Sequence, residues 1–270
     1  MRIGVRGHDY GMGTPTQIAE KISEAGFCCL QLALHKSIDG FLPEYGHLSP
    51  GYAYSIRTAF EQRGLEIAVL GCYVDPSTQD EALRQNSIRR FEEQLSYCRM
   101  LGSNIVATET SNCAEHDRDK QYELLLDSVR RMVKRAESFG VFVGIEPVWC
   151  HTLNTPELTG KLITEIGSPN LQIVFDPFNL IAPDKSEDQH RLIDSSLDIF
   201  GDRIVAVHAK DAILSNGVFR SCLIGEGFFD HEYFYKKLNR IKPGISVLRE
   251  GADPLTAKSD IAALKRYAQL

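Results

Sequence analysis

The sequence predicts an α/β fold, a (β/α)8 TIM barrel, and three observations support this prediction. Eight short apolar runs alternate with longer amphipathic segments, the pattern of parallel strands joined by crossover helices. The chain has 270 residues, which suits eight strand-helix units. No low-complexity stretch interrupts the series. We therefore expect a single barrel domain over residues 1–270, with a doubly wound sheet as the alternative.

The eight predicted strands are short and rich in apolar and β-branched residues. They are Arg2–Arg6, Cys28–Leu34, Leu65–Cys72, Ile105–Thr108, Val141–Ile145, Leu171–Phe175, Ile204–Val207 and Ile245–Leu248.

Four of the segments between these strands carry helical periodicity, and each is followed by a glycine that can end a helix. They are Gln17–Ala25, Asp80–Leu101, Asp119–Phe139 and Leu158–Ile166. The two central segments are long, and each has one charged face that we expect in solvent.

Composition excludes several classes of protein. A formal net charge of -6 and a pI of about 5.8 disfavour nucleic-acid binding. The seven cysteines form no CxxC pair, which argues against a disulfide framework or a structural zinc cluster. No targeting segment or long apolar span is visible, so we expect a cytoplasmic protein without a membrane partner.

Polar residues follow the last four predicted strands at corresponding positions. They are Glu146, Asp176, His208 and Glu250. The first four strands are followed less regularly by His8, His35, Cys72 and Glu109. A single Asp before Pro also suits a turn, and a single His suits a satisfied core position. Because the strand ends of a TIM barrel meet at one mouth, however, the set predicts a common site.

Three carboxylates at one mouth would repel one another, and a divalent cation removes that cost. Three carboxylate ligands and one imidazole suit Mn²⁺, Mg²⁺, Co²⁺ or Zn²⁺, and the sequence does not choose among them. We expect one divalent ion per chain.

Five motifs resemble the xylose isomerase-like TIM barrels, the superfamily of sugar-phosphate isomerases and epimerases that also contains the endonuclease IV type of DNA repair enzyme. They are GIEP, VFDPFN, VHAKD, IGEG and LREG. The resemblance implies that Glu146, Asp176, His208 and Glu250 hold the metal, as in the ketose 3-epimerases. It also implies that the two glutamates act as paired acid and base on opposite faces of the substrate.

The sequence departs from that pattern at Asn179, where these families commonly have a histidine. Asn is a poor zinc ligand but can hydrogen-bond a sugar hydroxyl, so a single metal is favoured. The further histidines of the nuclease cluster lack clear counterparts, and we expect His231 to begin a helix. Abasic-site DNA cleavage is therefore disfavoured.

Substrate contacts are predicted at His8, Glu109, Trp149, Asn179 and Lys210. Two of these residues have an alternative interpretation. Lys210 binds an oxyanion or forms a surface ion pair with its neighbouring Asp, and Trp149 walls the pocket or packs in the core. Gly225 and Gly227 indicate a close backbone approach, although Gly-x-Gly alone is a weak phosphate signal.

The expected function is a metal-dependent isomerase or epimerase of a sugar or sugar phosphate. It would abstract a proton next to a metal-chelated carbonyl and pass through an enediolate. A dehydratase of the inosose or dehydroshikimate type shares the first step and stays open, as does a non-catalytic metal or sugar-binding protein. A homo-oligomer is possible, and the sequence names neither the substrate nor the native metal.

Overall fold

The computed structural model describes residues 1–269, except for the side chains of residues 185–187. Eight parallel strands form a closed barrel: β1 (Arg2–Arg6), β2 (Cys29–Leu32), β3 (Glu66–Gly71), β4 (Ile105–Glu109), β5 (Phe142–Glu146), β6 (Leu171–Phe175), β7 (Ile204–Ala209) and β10 (Ser246–Arg249). Their order around the barrel is β1-β10-β7-β6-β5-β4-β3-β2. The predicted TIM barrel is confirmed, and the doubly wound alternative is wrong.

The helices alternate with the strands as predicted, with small shifts at their ends. They are α1 (Pro15–Ala25), α2 (Leu34–Ser37), α3 (Pro50–Glu61), α4 (Glu81–Tyr97), α5 (Arg118–Phe139), α6 (Pro156–Ile166), α7 (Gln189–Phe200), α8 (His231–Ile241) and α9 (Ala257–Tyr267). The predicted second strand is too long, because the chain turns into α2 at Leu34. None of these helices is long and apolar enough to cross a bilayer.

A two-stranded antiparallel hairpin, absent from our prediction, follows β7. It consists of β8 (Ala212–Ser215) and β9 (Val218–Ser221). Asn216 and Gly217 connect the strands with positive φ angles of 52° and 73°. An Asn-Gly pair is a strong hairpin signal because both residues tolerate this left-handed backbone.

A layer of small residues fills the barrel interior. Its buried apolar members are Cys29, Val69, Ala107, Val174, Ala206 and Leu248. Glycines complete it on the two remaining strands, because a Cβ at Gly4 or Gly144 would meet members of this layer at 3.0 Å or less. The barrel is therefore a packed core, and a ligand can enter only at its mouth.

The next inward-facing position lies two residues further along each strand, because side chains alternate between the faces of a strand. On seven of the eight strands this position is polar. These residues are Arg6, Gln31, Glu109, Glu146, Asp176, His208 and Glu250. The eighth is Gly71. The barrel geometry thus gathers charged and amide groups into one ring above the apolar interior layer.

Candidate metal centre

Four members of this ring form a compact cluster that could hold a metal ion. Glu146, Asp176, His208 and Glu250 each offer one ligand atom, and these four atoms lie within 4.8 Å of one another. Glu146, Asp176 and His208 are buried, whereas Glu250 is partly exposed. The four residues come from β5, β7 and the ends of β6 and β10, as predicted from the strand ends.

One oxygen of each of the first two carboxylates is held by Asn179. The Asn179 side-chain amide donates to Glu146 Oε1 at 2.6 Å. The Asn179 backbone N–H donates to Asp176 Oδ1 at 3.1 Å. The second oxygens, Glu146 Oε2 and Asp176 Oδ2, remain for the centre of the cluster. Asn179 thus orients two ligands from the position where the related families commonly have a histidine.

The other two ligands are oriented in the same manner. His208 Nε2 lies 2.7 Å from Gln31 Oε1, which leaves Nδ1 facing the cluster. His208 Nδ1 is 3.2 Å from Glu146 Oε2 and 3.5 Å from Glu250 Oε2. Glu250 Oε1 lies 3.2 Å from Arg6 Nη1 and 3.1 Å from Lys210 Nζ. Each of the four side chains is therefore held through one atom and offers the other.

Two of the offered atoms satisfy a specific test of whether a cation fits. Asp176 Oδ2 and His208 Nδ1 are buried and make no hydrogen bond of good geometry among the described residues, although Lys210 Nζ lies 3.4 Å from the first and Glu146 Oε2 lies 3.2 Å from the second. Burial of polar atoms without partners costs free energy, which a bound cation would recover. The mixed oxygen and nitrogen donor set suits a divalent metal.

The pKa values of the cluster without a cation also indicate that burying its charged groups is unfavourable. Burial, reinforced by Glu250 and Glu146, raises the pKa of Asp176 to about 6. Burial would lower the pKa of His208, but the surrounding carboxylates outweigh it and raise that pKa to about 9. The metal-free protein therefore keeps a proton on His208 at neutral pH, and a cation bound through Nδ1 would displace it.

Lys210 lies at the edge of the cluster. Its ammonium group is 3.4 Å from Asp176 Oδ2 and 3.1 Å from Glu250 Oε1, and it also donates to Asn179 Oδ1. The alternative of a surface ion pair with Asp211 is wrong. Burial of Glu250 would raise the pKa of its carboxyl group. Lys210, together with His208 and Arg6, outweighs burial and lowers that pKa to about 2.

Asp211 instead holds the loop that contains the IGEG motif. Its carboxylate is buried and accepts backbone N–H bonds from Gly225 at 2.9 Å and Gly227 at 3.0 Å. A Cβ at Gly227 would lie 2.0 Å from Asp211 Oδ1, so only glycine fits there. The close approach predicted for these glycines is therefore to Asp211. His231 begins α8, as predicted, 3.2 Å from the same carboxylate.

The opposite side of the mouth carries His8 and Glu109 around the ring of Tyr73. His8 packs edge-on against Tyr73, with ring centroids 5.6 Å apart. The ammonium of Lys36 lies 3.5 Å from the Tyr73 ring centroid. Glu109 ends β4 beside Glu146 in the strand register, and burial, with Glu146 and Glu250, raises its pKa to about 7.

Trp149 lies outside the cluster. Its side chain is 41% exposed, so the core-packing alternative is wrong. It lines a cavity of about 700 Å³ together with Asn154, Leu180 and Ile181, and no member of the four-residue cluster lines that cavity. The backbone N–H of Trp149 donates to Asn179 O at 2.8 Å, which ties this loop to the loop after β6.

Sequence reasoning missed four residues of the mouth. Arg6 and Gln31 lie within strands and could have been found by counting two residues along from the apolar interior layer. Lys36 and Tyr73 come just after β2 and β3 and gave no periodic signal.

The comparisons with known proteins agree with this geometry. The sequence model of the xylose isomerase-like TIM barrel family matches residues 19–267. The chain belongs to this family. No curated protein sequence matches it.

Among solved structures, three similar folds illustrate what the family contains. A D-tagatose 3-epimerase-like protein has a TM-score of 0.80 and 21% identity, covering 100% of this chain and 97% of that chain. The 3-keto-D-glucoside 4-epimerase YcjR from E. coli has a TM-score of 0.76 and 19% identity, covering 100% of both chains. The IOLI protein with a bound zinc atom has a TM-score of 0.75 and 18% identity, covering 99% of this chain and 96% of that chain. At these identities the likeness shows the fold.

Proposed function

We propose that the protein is a metal-dependent epimerase or isomerase acting on a sugar or sugar phosphate. The observation that carries the proposal is the orientation of Glu146, Asp176, His208 and Glu250, each held through one atom and offering the other to a common centre. The names of the similar structures support the reaction class, since they include tagatose, psicose and ribulose 3-epimerases. One similar structure contains zinc.

A divalent cation at this centre would polarise a carbonyl and acidify the neighbouring C–H group. The chain supplies the proton acceptor and donor. Glu146 and Glu250 belong to strands separated by β6 and β7 in the barrel, and both point an oxygen at His208 Nδ1. Arg6 and Lys210 keep Glu250 ionised, and an ionised carboxylate can accept a proton. One glutamate removes a proton and the other returns one to the opposite face.

The test combines metal analysis with a substrate panel. Purified protein should hold about one divalent ion per chain. Incubated with Mn²⁺ and a panel of ketoses, inososes and their phosphates in deuterated water, it should incorporate deuterium into a substrate without generating ultraviolet absorbance. Absorbance from a conjugated product would instead identify a dehydratase. Two or three ions per chain would favour the nuclease branch.

A pair of variants separates catalysis from binding. Glu250→Gln should retain the cation and lose turnover, because the amide keeps an oxygen ligand but cannot accept the proton. Glu226→Gln, at an exposed glutamate in a nearby loop, is the matched control and should be fully active. Turnover by Glu250→Gln at the wild-type rate would contradict the assigned role. Direct contact with the substrate remains a prediction for five residues, which are His8, Glu109, Trp149, Asn179 and Lys210.

A further inference from the structure

We infer that Gln31 is a positioning residue that fixes the tautomer and orientation of His208, with Tyr73 fixing Gln31 in turn. This inference rests on the proposed function, because it concerns how the chain prepares His208 for a cation. It adds residues from β2 and from the segment after β3 to a centre whose ligands come from β5, β7 and the ends of β6 and β10.

The contacts form a continuous chain across the mouth. Gln31 is 3% exposed, and its Oε1 lies 2.7 Å from His208 Nε2. The Gln31 amide nitrogen donates to the Tyr73 hydroxyl at 3.0 Å. A Cβ at Gly71 would lie 3.1 Å from both the Gln31 amide nitrogen and the Tyr73 ring. The missing side chain at Gly71 therefore leaves the space in which Gln31 and Tyr73 meet.

The direction of the Gln31 amide decides which histidine nitrogen can bind a cation. An oxygen facing His208 accepts only from N–H, so in the neutral imidazole Nε2 carries the proton and the Nδ1 lone pair faces the carboxylates. With the amide reversed, its N–H would face Nε2, and the neutral imidazole would carry its proton on Nδ1. That form could not bind a cation through Nδ1. Outer partners of this kind raise the affinity of metal sites by orienting the ligand.

Tyr73 selects between the two directions through its own environment. Burial, with Glu146, Glu109 and Glu250 nearby, raises the pKa of Tyr73, so the phenol stays protonated. In the described part of the chain the Tyr73 hydroxyl donates to no partner, and Tyr73 borders a small pocket shared with Glu109 and Glu146. A phenol proton directed toward these carboxylates leaves the oxygen lone pairs to accept from Gln31.

The experiment measures cation affinity by competition with a chromophoric chelator, using Co²⁺ and Zn²⁺ alone as probes. Gln31→Met preserves the size of the side chain and removes the acceptor, so affinity should fall about 10- to 100-fold. Gln31→Glu keeps an acceptor and should bind at least as tightly as wild type. Gln94→Met is the matched control at another buried glutamine, on α4, and should leave affinity unchanged.

A second readout observes the tautomer directly. In histidine-labelled, Zn²⁺-loaded wild type, nitrogen NMR should show a protonated Nε2 and a metal-bound Nδ1 at His208. Wild-type affinity in Gln31→Met, an equal loss in Gln31→Glu, or a protonated Nδ1 would each overturn the inference. If the wild type binds no cation, the proposed function fails. The tautomer of His208 in the metal-free protein, observed above its pKa of about 9 where the imidazole is neutral, then tests Gln31 separately. A proton on Nε2 supports the inference, and a proton on Nδ1 overturns it.

Discussion

The two sides of the barrel mouth are built differently. The side formed by β5, β6, β7 and β10 presents three carboxylates and one imidazole, each oriented by a hydrogen bond or ion pair. The side formed by β1 to β4 presents the Tyr73 ring, with His8 and Lys36 packed against it, and the carboxylate of Glu109. The first side concentrates negative charge, and the second concentrates donors and aromatic surface.

Burial is offset to different extents on the two sides. On the carboxylate side, ion pairs outweigh it at His208 and Glu250, which favour their charged forms, whereas burial dominates at Asp176 and raises its pKa to about 6. On the aromatic side burial dominates: it lowers the pKa of His8 to about 3 and also lowers the pKa of Lys36. No carboxylate lies within 4 Å of the Lys36 ammonium among the described residues. We infer that one side holds a cation and the other contacts an organic ligand.

Removing a ligand should have the largest effect and would test the division between the two sides. Asp176→Ala and His208→Ala should each abolish cation occupancy, because each removes a donor from the centre of the cluster. Metal analysis after dialysis measures the outcome. Glu109→Ala is the matched control, a carboxylate removed from the other side, and should retain the ion. Full occupancy in both ligand variants would contradict the four-residue centre.

The proton on His208 makes cation binding depend on pH. Because the His208 pKa of about 9 lies above neutrality, Nδ1 must lose its proton before it binds a metal. Affinity for Mn²⁺ should therefore rise about tenfold per pH unit from pH 6 to pH 8, or about 100-fold in all. A chelator competition series measures this. A flat profile would show that His208 is neutral in the metal-free protein.

The same shift has a consequence for stability of the metal-free protein. The pKa of His208 is raised from its ordinary value of 6.5 to about 9 in the folded state. The charged imidazole therefore stabilises the fold fully below pH 6.5. That contribution is lost as pH rises toward about 9, the folded pKa.

The fold and the cluster were largely predictable because both depend on short-range patterns. Strand periodicity predicts the barrel, and the barrel places successive strand ends together. The partners of the ligands were not predictable in the same way. Gln31 and His208 are 177 residues apart, and a single Gln in the apolar run of β2 gives no sign of its partner. The hairpin after β7 is marked in the sequence by its Asn-Gly pair alone, within strands of only four residues each.

Changing Lys36 should alter substrate binding without altering the metal centre. Lys36→Met keeps a long side chain over the Tyr73 ring and removes the ammonium. We expect KM to rise about tenfold, the equivalent of one charge-assisted hydrogen bond, with unchanged metal content. Steady-state kinetics with the best substrate of the panel measure this. Lys21→Met is a control at a lysine whose ammonium donates to the backbone oxygen of Tyr10. Lower metal occupancy in Lys36→Met would remove the distinction between the two sides.

Glu109 should give the smallest effect, on stability and its pH dependence. Its folded pKa of about 7 lies above the ordinary value of 4.5, so the fold favours the protonated form. The resulting cost develops as pH rises from 4.5 through 7. In metal-free protein, Glu109→Gln should therefore be more stable than wild type above pH 7 by about 1 kcal/mol, a value reduced for partial exposure.

Urea unfolding of the two proteins between pH 4 and pH 8 measures this difference. The gain should disappear toward pH 4, where Glu109 is protonated in both the folded and unfolded states. Adding a divalent cation should reduce the gain at high pH, because the cation neutralises Glu146 and Glu250, two of the causes of the raised pKa. A gain that is independent of pH would mean that Glu109 is ionised as readily in the fold as in water. The aromatic side of the mouth would then be electrostatically separate from the carboxylate side.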